Sequence, residues 1–243
     1  MHSFTVFSFD VVTSTMDVAR SLYEENREDG IVVLANYQTN GRGRPGRVWH
    51  TKKDENFLTT LVLNVDGIPF AVLPFLISLS LIETLMDLTK SKGLSLKWPN
   101  DLLFHKKKLG GILIEKIDDH VFSIGIGLNL RDAPKDLDSG GGMLFPPVAL
   151  NDYFQGYVPT NEEIVSELFS HINKNESLYR EKGFDPIREK WLSHHLPVGT
   201  LMSVKLSQQS YQGTFVDLTS QGHLILELSE GGHKTFATGD VFI

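Results

Sequence analysis

The chain has 243 residues, room for one large domain or one domain with a small appendage, because single cores rarely grow past roughly 250 residues. Its 41% hydrophobic and 22% charged residues are those of a globular protein and exclude collagen-like, disordered and low-complexity classes. With 30 Asp and Glu against 23 Lys and Arg, the net charge of −7 requires any anionic partner to be held at a local patch; the absence of Cys removes disulfides, thiolate metal sites and cysteine nucleophiles and points to a cytoplasmic setting.

The N-terminus lacks the basic and apolar regions of a secretory signal, and residues 4–9 read as a strand. Thr13, Ser14 and Thr15 then precede Val18, Ala19, Leu22 and Tyr23, a spacing that predicts a capped helix. Residues 31–35 and 57–65 read as strands, separated by a Gly/Arg loop over 38–51. The uncharged run 67–82 contains Pro69 and Pro74 and is too short for a membrane span, so it predicts a buried helix over 74–90 and no membrane partner. Strands follow at 94–98, 102–104, 109–117 and 121–130, the last two joined through Asp118, Asp119 and His120 as an antiparallel hairpin. Residues 131–149, rich in Gly and Pro, form a long loop and a candidate lid.

Thr160 and Glu163 make a capping-box pattern that opens a helix running through Leu178, and residues 185–194 form a shorter one. After Pro197 four or five short strands, punctuated by glycines, predict a small β-barrel or SH3-like module. The fold class is therefore α+β: a mixed sheet with helices packed on it, and a small C-terminal barrel.

The densest chemical signal is QTNGRGRPGRVWHTKK, residues 38–53, where Arg42, Arg44, Arg47, Lys52 and Lys53 occur with no acid. Gly41, Gly43 and Gly46 let the backbone approach a ligand, and guanidinium forks hold carboxylate or phosphate oxygens. A solvated basic loop is the plain alternative. No helix follows, so the glycines are not a dinucleotide fingerprint, and no phosphate-loop lysine motif is present.

A second cluster, KWPNDLLFHKKKLGG, ends in Lys106, Lys107 and Lys108. These are either a hairpin turn or, for Lys108, an ammonium over a pocket floored by Gly110 and Gly111. Asn100 and Asp101 ordinarily make a turn and Trp98 ordinarily packs in a core. The adjacent His194 and His195 do not suggest a metal site.

Taken in order, Ser14-Thr15-Met16, QTNGRGRPGRVW (38–49), KWPND (97–101), KLGGILIE (108–115) and GIGLN (125–129) resemble the biotin protein ligase family. The resemblance implies a catalytic domain over 1–196 and an SH3-like domain over 197–243. It implies an AMP-forming ligase that joins biotin to ATP and passes the biotinyl group to a lysine of a biotin carboxyl carrier protein, with Mg²⁺ accompanying the ATP.

By position, the resemblance assigns biotin to Ser14, Thr15, Met16, Gln38, Arg42, Gly43, Arg44, Lys108, Gly110 and Gly111. Trp49, Lys97, Asn100 and Asn129 fall to the nucleotide, and Lys108, Arg44 and Asp101 to catalysis, Asp101 by receiving the acceptor lysine's proton or orienting its amine. Met16 stands where some members carry Asn, so only backbone contact transfers there. The chain starts at the catalytic domain without the helix-turn-helix of repressor members, so no nucleic-acid partner is expected; a homodimer is compatible with the pattern. The alternatives are a lipoate or octanoate ligase or transferase of the same superfamily, which tends to carry an Arg-Arg-x-Ser-Gly-Gly-Gly type segment in place of residues 40–44, and a non-catalytic biotin-sensing module.

Overall fold

Residues 31–35, Ile-Val-Val-Leu-Ala, have an apolar side chain at every position, which in a strand means that both faces are covered. The computed structural model, which describes residues 4–134, 145–154, 156–206 and 209–242, bears this out. Strands β1 (Thr5–Val12), β2 (Ile31–Gln38), β3 (Asn56–Asn64), β4 (Leu94–Lys97), β5 (Asp101–Phe104), β6 (Lys107–Lys116) and β7 (Val121–Asn129) form a seven-stranded sheet. Its order is β1-β2-β3-β7-β6-β5-β4. Only β1 and β2 run parallel, joined by the crossover helix α1 (Thr15–Asn26). Every other pairing is antiparallel, including the expected β6–β7 hairpin.

The two-residue period of β2 sorts the core. Ile31 and Val33 pack with Ala19 and Tyr23 of α1, whereas Val32 and Leu34 join Phe57, Leu61 and Leu63 on the opposite face. That face is covered by α2 (Leu73–Thr89), α3 (Asn161–Lys182) and α4 (Asp185–His194). Helix α2 is apolar nearly all round because it lies between the sheet and other helices. Its buried Ser78, Ser80, Thr84 and Thr89 hydroxyls each donate to the carbonyl four residues earlier, so none is left unsatisfied. The Thr160 and Glu163 capping box opens α3 as its sequence predicts.

After α4, strands β8 (Leu201–Lys205), β9 (Ser210–Leu218), β10 (Leu224–Leu228), β11 (His233–Phe236) and β12 (Asp240–Phe242) form an antiparallel sheet in the order β11-β10-β9-β8-β12. No β11–β12 ladder closes it among the described residues, so the expected barrel is seen here as a five-stranded sheet. It shares one continuous apolar core with the larger sheet, through Met202, Val204, Phe215 and Leu226. Trp98 Nε1 donates to the Gly222 carbonyl at 3.0 Å across this junction. Gly222 has φ +77°, and a Cβ there would lie 2.3 Å from Phe75, so the turn requires glycine.

Of the expected lid over 131–149, residues 135–144 lie outside the described residues. Residues 145–149 run beside β6, where the Lys108 N–H donates to Pro146 O and the Val148 N–H donates to Lys108 O, both at 2.9 Å. Among the described residues no helix is long and apolar enough to cross a membrane.

His195 sits at the junction of the two sheets, its ring 4.8 Å from Trp191 and 4.5 Å from Phe215, with Nδ1 2.9 Å from Leu196 O. Burial pushes its imidazole down to about 4. The unfolded chain, with an ordinary histidine, therefore takes up this proton first as pH falls below roughly 6.5. Stability from His195 is fully present above pH 6.5 and is lost as pH falls towards 4, by on the order of 3 kcal/mol. Urea unfolding at pH 7, 5.5 and 4 should show this component in the wild type and not in His195→Phe; parallel pH profiles for the two would contradict it.

Candidate active site

The antiparallel pairing of β6 with β7 sets Gly111 opposite Gly127 and Leu113 opposite Gly125, while Ile112, Ile124 and Ile126 point into the core on the other side. The glycines thus share the face that α1 covers only in part. An open cleft lies over them. A Cβ on Gly125 would lie 2.9 Å from Met16 Sδ and one on Gly127 would lie 2.5 Å from Trp49 Cε2, so these side chains rest directly on the sheet backbone. Trp49 Nε1 is buried without a hydrogen-bond partner, as is Asn100 Oδ1, and both residues line the cleft. A buried donor and a buried acceptor left open at one cavity are what a ligand or ordered water completes.

One end of the cleft is neutral and polar. The parallel β1–β2 crossover brings the first residues of α1 against the end of β2, so that the Thr15 N–H and hydroxyl donate to Gln38 Oε1 at 2.7 and 3.0 Å. Thr60 donates to the Thr15 hydroxyl at 2.9 Å. Gln38 Oε1 is therefore spent inside the protein, which fixes the carboxamide orientation and leaves Nε2 as its donor. Ser14 Oγ caps α1 by accepting from the Met16 N–H at 3.3 Å.

The other end is charged. The β4–β5 pairing sets Lys97 opposite Asp101, and a register shift after Leu102 brings in Lys108 from β6. Lys97 Nζ lies 2.7 Å from Asp101 Oδ2, and Lys108 Nζ lies 2.6 Å from Oδ1. Burial alone would raise the Asp101 carboxyl, but Lys108 and then Lys97 outweigh it and hold it well below the usual carboxylate range. For Lys97, burial is the larger effect and pushes its ammonium down against the pull of Asp101. With both oxygens committed, Asp101 is a poor proton acceptor and a good counter-ion for aiming Lys108. The Lys108 ammonium lies 5.9 Å from the Trp49 ring centroid.

The Gly/Arg loop is exposed at residues 45–48 but is tied together by its own hydrogen bonds. Trp49 N–H donates to Gly41 O and Gly43 N–H to Arg47 O, each at 2.9 Å, and Gly46 takes φ +79° at the turn. Arg42 reaches back to Asp17 of α1 and holds Glu115 of β6 through two hydrogen bonds of 3.3 and 3.4 Å. Arg44 and Arg47 leave the larger sheet altogether and pair with Asp240 of β12.

Of the residues that the resemblance assigns to the site, Lys97, Gly110 and Asn129 do not line the cleft and the others do; of the further loop cations, Lys52 and Lys53 do not. Lys97 stands behind Asp101. Gly110 faces the opposite side of β6 from Gly111, where a Cβ would meet Leu128 at 2.4 Å, so it is a packing glycine. The Asn129 amide is engaged within the fold: Oδ1 accepts from Asn56 at 3.1 Å and Nδ2 donates to Val148 O at 3.2 Å. Sequence reasoning named Arg47 only as one of the loop's cations and missed Thr59, Leu113, Gly125 and Gly127 as lining residues. The alternation Gly125-Ile126-Gly127 carried the signal for two of them, a strand with one bare face.

Residues 8–129 match the model of the biotin/lipoate A/B protein ligase family and residues 203–243 match the biotin protein ligase C-terminal domain. The chain is 31% identical to the bifunctional ligase/repressor BirA of Bacillus subtilis, over 94% of this chain and 71% of that protein. It is also 31% identical to the biotin–[acetyl-CoA-carboxylase] ligase of Paracoccus denitrificans, over 86% of this chain and 89% of that one. Among solved structures, the biotin protein ligase from Aquifex aeolicus in complex with biotin and ATP superposes with a TM-score of 0.82 at 27% identity, covering 98% of this chain and 97% of the other.

The Lys97–Asp101 pair yields a stability prediction. Asp101→Asn strands the buried Lys97 ammonium without its counter-ion and should cost about 3 to 5 kcal/mol in urea unfolding. Adding Lys97→Met removes the stranded charge and should restore much of that loss. A cost for Asp101→Asn below about 1 kcal/mol would mean that Asp101 does not neutralise Lys97.

Proposed function

The chain belongs to the biotin/lipoate A/B protein ligase family, and from that premise we propose that it is an ATP-dependent biotin ligase acting on a biotin carboxyl carrier protein. The observation that carries this reading is one cleft with neutral donors and acceptors at one end, Ser14, Thr15 and Gln38, and Lys108 at the other. A ureido ring needs the first and a carboxylate needs the second. The dithiolane of lipoate offers no hydrogen bonds, so it would leave the polar end unpaired at a cost in affinity. A module that only senses biotin would hold the carboxylate on Lys108 but has no phosphate to bring beside it, so adenylate formation separates the two readings.

In the first half-reaction a carboxylate oxygen of biotin attacks the α-phosphorus of ATP, and the bond from that phosphorus to the pyrophosphate oxygen breaks, giving biotinyl-5′-AMP and pyrophosphate. Lys108, held by Asp101, suits the point where two anions must approach, and it screens their repulsion. In the second, the acceptor lysine's amine attacks the acyl carbon, the bond from that carbon to the AMP oxygen breaks, and the amine loses a proton. Arg42, Gly43 and Arg44 cover the biotin side, and Met16 contributes through its backbone and its packing on Gly125.

Trp49 offers a face for adenine and its unpartnered Nε1 a donor, with Asn100 close by. Asn129 keeps a second Nδ2–H and a second Oδ1 lone pair beside its bonds to Val148 and Asn56, but it stands outside the cleft lining. Lys97 supports Asp101 from behind.

Asp101 is the only carboxylate among the described residues lining the cleft, and both its oxygens are taken by lysines. The described lining thus offers Mg²⁺ no free carboxylate, and we read magnesium as arriving with the nucleotide as part of the substrate. We assign the catalytic domain to residues 1–196 and read residues 197–243 as the family's SH3-like module. The cysteine-free composition supports a cytoplasmic setting.

The deciding experiment is mass spectrometry of a candidate carrier domain after incubation with the protein, biotin and Mg·ATP; gain of one biotinyl group supports the reading, and no gain across carrier domains rejects it. Within that assay, Lys108→Ala should fold normally and slow biotin-dependent pyrophosphate release by roughly 10² to 10³. A near-normal rate with intact stability would reduce Lys108 to a hairpin lysine.

A further inference from the structure

The tip of the cleft-lining loop is held from outside its own domain. Asp240 takes one guanidinium on each carboxylate oxygen: Arg44 Nη2 on Oδ1, and Arg47 Nη2 on Oδ2 at 2.7 Å. Arg44 Nη1 also donates to Gly239 O at 3.0 Å. These partners lie about two hundred residues along the chain from the loop, in the last strand of the second sheet.

That strand is built to hold them still. Val241 is buried and pairs with Val204, and Asp240 pairs with Lys205, so the carboxylate is fixed to the C-terminal core. Gly239 enters with φ +151°, and a Cβ there would strike Val204 Cγ1 at 2.6 Å, so only glycine brings its carbonyl to Arg44 in this way. On its other side the loop is tied down at its base, by Arg42 to Asp17 and Glu115 and by the Trp49–Gly41 bond. Among the described contacts of the Arg44 and Arg47 side chains, every anchor belongs to the second sheet.

We propose that Asp240 is a positioning residue that latches the Arg44–Arg47 tip over the cleft, so that the C-terminal sheet sets how long the activated acyl intermediate is retained. This rests on the biotin-ligase reading. A mixed anhydride is lost to water or stray amines unless the site stays covered, yet it must be uncovered when the acceptor lysine arrives. Charge-assisted pairs at half-buried positions suit that need, because they hold the loop without locking it and respond to ionic strength.

The test compares wild type, Asp240→Asn, Asp240→Glu, Arg47→Gln and the double variant Asp240→Asn/Arg47→Gln. Each is loaded with labelled biotin and Mg·ATP in the presence of pyrophosphatase, and release of the labelled adenylate is followed by rapid filtration, with single-turnover adenylation and urea unfolding measured in parallel. The latch requires Asp240→Asn to form adenylate within about threefold of wild type and to release it about tenfold faster. Asp240→Glu should recover most of the retention, and Arg47→Gln should add little on top of Asp240→Asn. Wild-type release should rise from about 0.05 M to 0.5 M salt while Asp240→Asn release stays nearly flat, a dependence that a packing role would not produce.

Equal retention in wild type and Asp240→Asn overturns the latch and leaves the ligase reading standing; absence of adenylate in the wild type overturns the reading itself. Loss of adenylation in a stably folded Asp240→Asn assigns Asp240 to chemistry and also overturns the latch. If Asp240→Asn lowers folding stability, Arg47→Gln, on the loop and not on the sheet, decides the same comparison.

Discussion

Gly111, Gly125 and Gly127 lie side by side on β6 and β7, and the space above them determines where the other site residues can go. Helix α1 covers the sheet over Ile31, Val33 and Val62, where side chains meet it, and reaches the glycine patch only through Met16 in its first turn. Met16 and Trp49 descend onto that patch as far as the backbone allows. Trp49 in turn closes the base of the Gly/Arg loop through its hydrogen bond to Gly41. A side chain at residue 127 would lift the indole and, with it, the end of the loop, so the cavity and its cover share one steric cause.

The electrostatics of the site are equally indirect. A chain of net charge −7 concentrates cations beside its cleft, yet Arg42, Arg44 and Arg47 are each spent on a carboxylate of the protein itself. Their work is to position the loop. The charge offered to a ligand comes instead from the cluster of Lys97, Asp101 and Lys108, where two ammonium groups share one buried carboxylate and one positive charge is left over. Folding leaves this cluster incompletely neutralised, and an anion beside Lys108 completes it. Substrate binding therefore gains from a desolvation cost that the fold has already met.

How much of this was legible in sequence follows from the range of each cause. The two-faced strand β2, the all-apolar α2 and the capping box of α3 are written in neighbouring residues, and each formed where its pattern lay. The motifs of the loop and of residues 97–111 marked the right part of the chain. Parity within a strand was harder: Gly110 and Gly111 look equivalent until the register of β6 against β7 sends one to the core and the other to the cleft. Lys97 and Asn129 belong to motifs that flank the site, and their side chains turned to Asp101, Asn56 and Val148 because buried polar groups must find partners where the fold provides them. Asp240 carried no local signal at all, since its meaning depends on packing between two sheets distant in sequence.

The same accounting constrains the second half-reaction. An acceptor lysine attacks an acyl carbon only as a neutral amine, so some group must take its proton. Asp101 is held far below the range in which a carboxylate collects protons, and its counter-ions leave it no free oxygen. No histidine lies among the described residues lining the cleft, and the remaining ionisable groups there are three arginines and Lys108. The geometry of the described site therefore favours Asp101 as the group that aims Lys108, with both its oxygens paired to lysines. The proton acceptor for the amine is then to be sought in solvent, in the phosphate of the leaving AMP or in the incoming carrier.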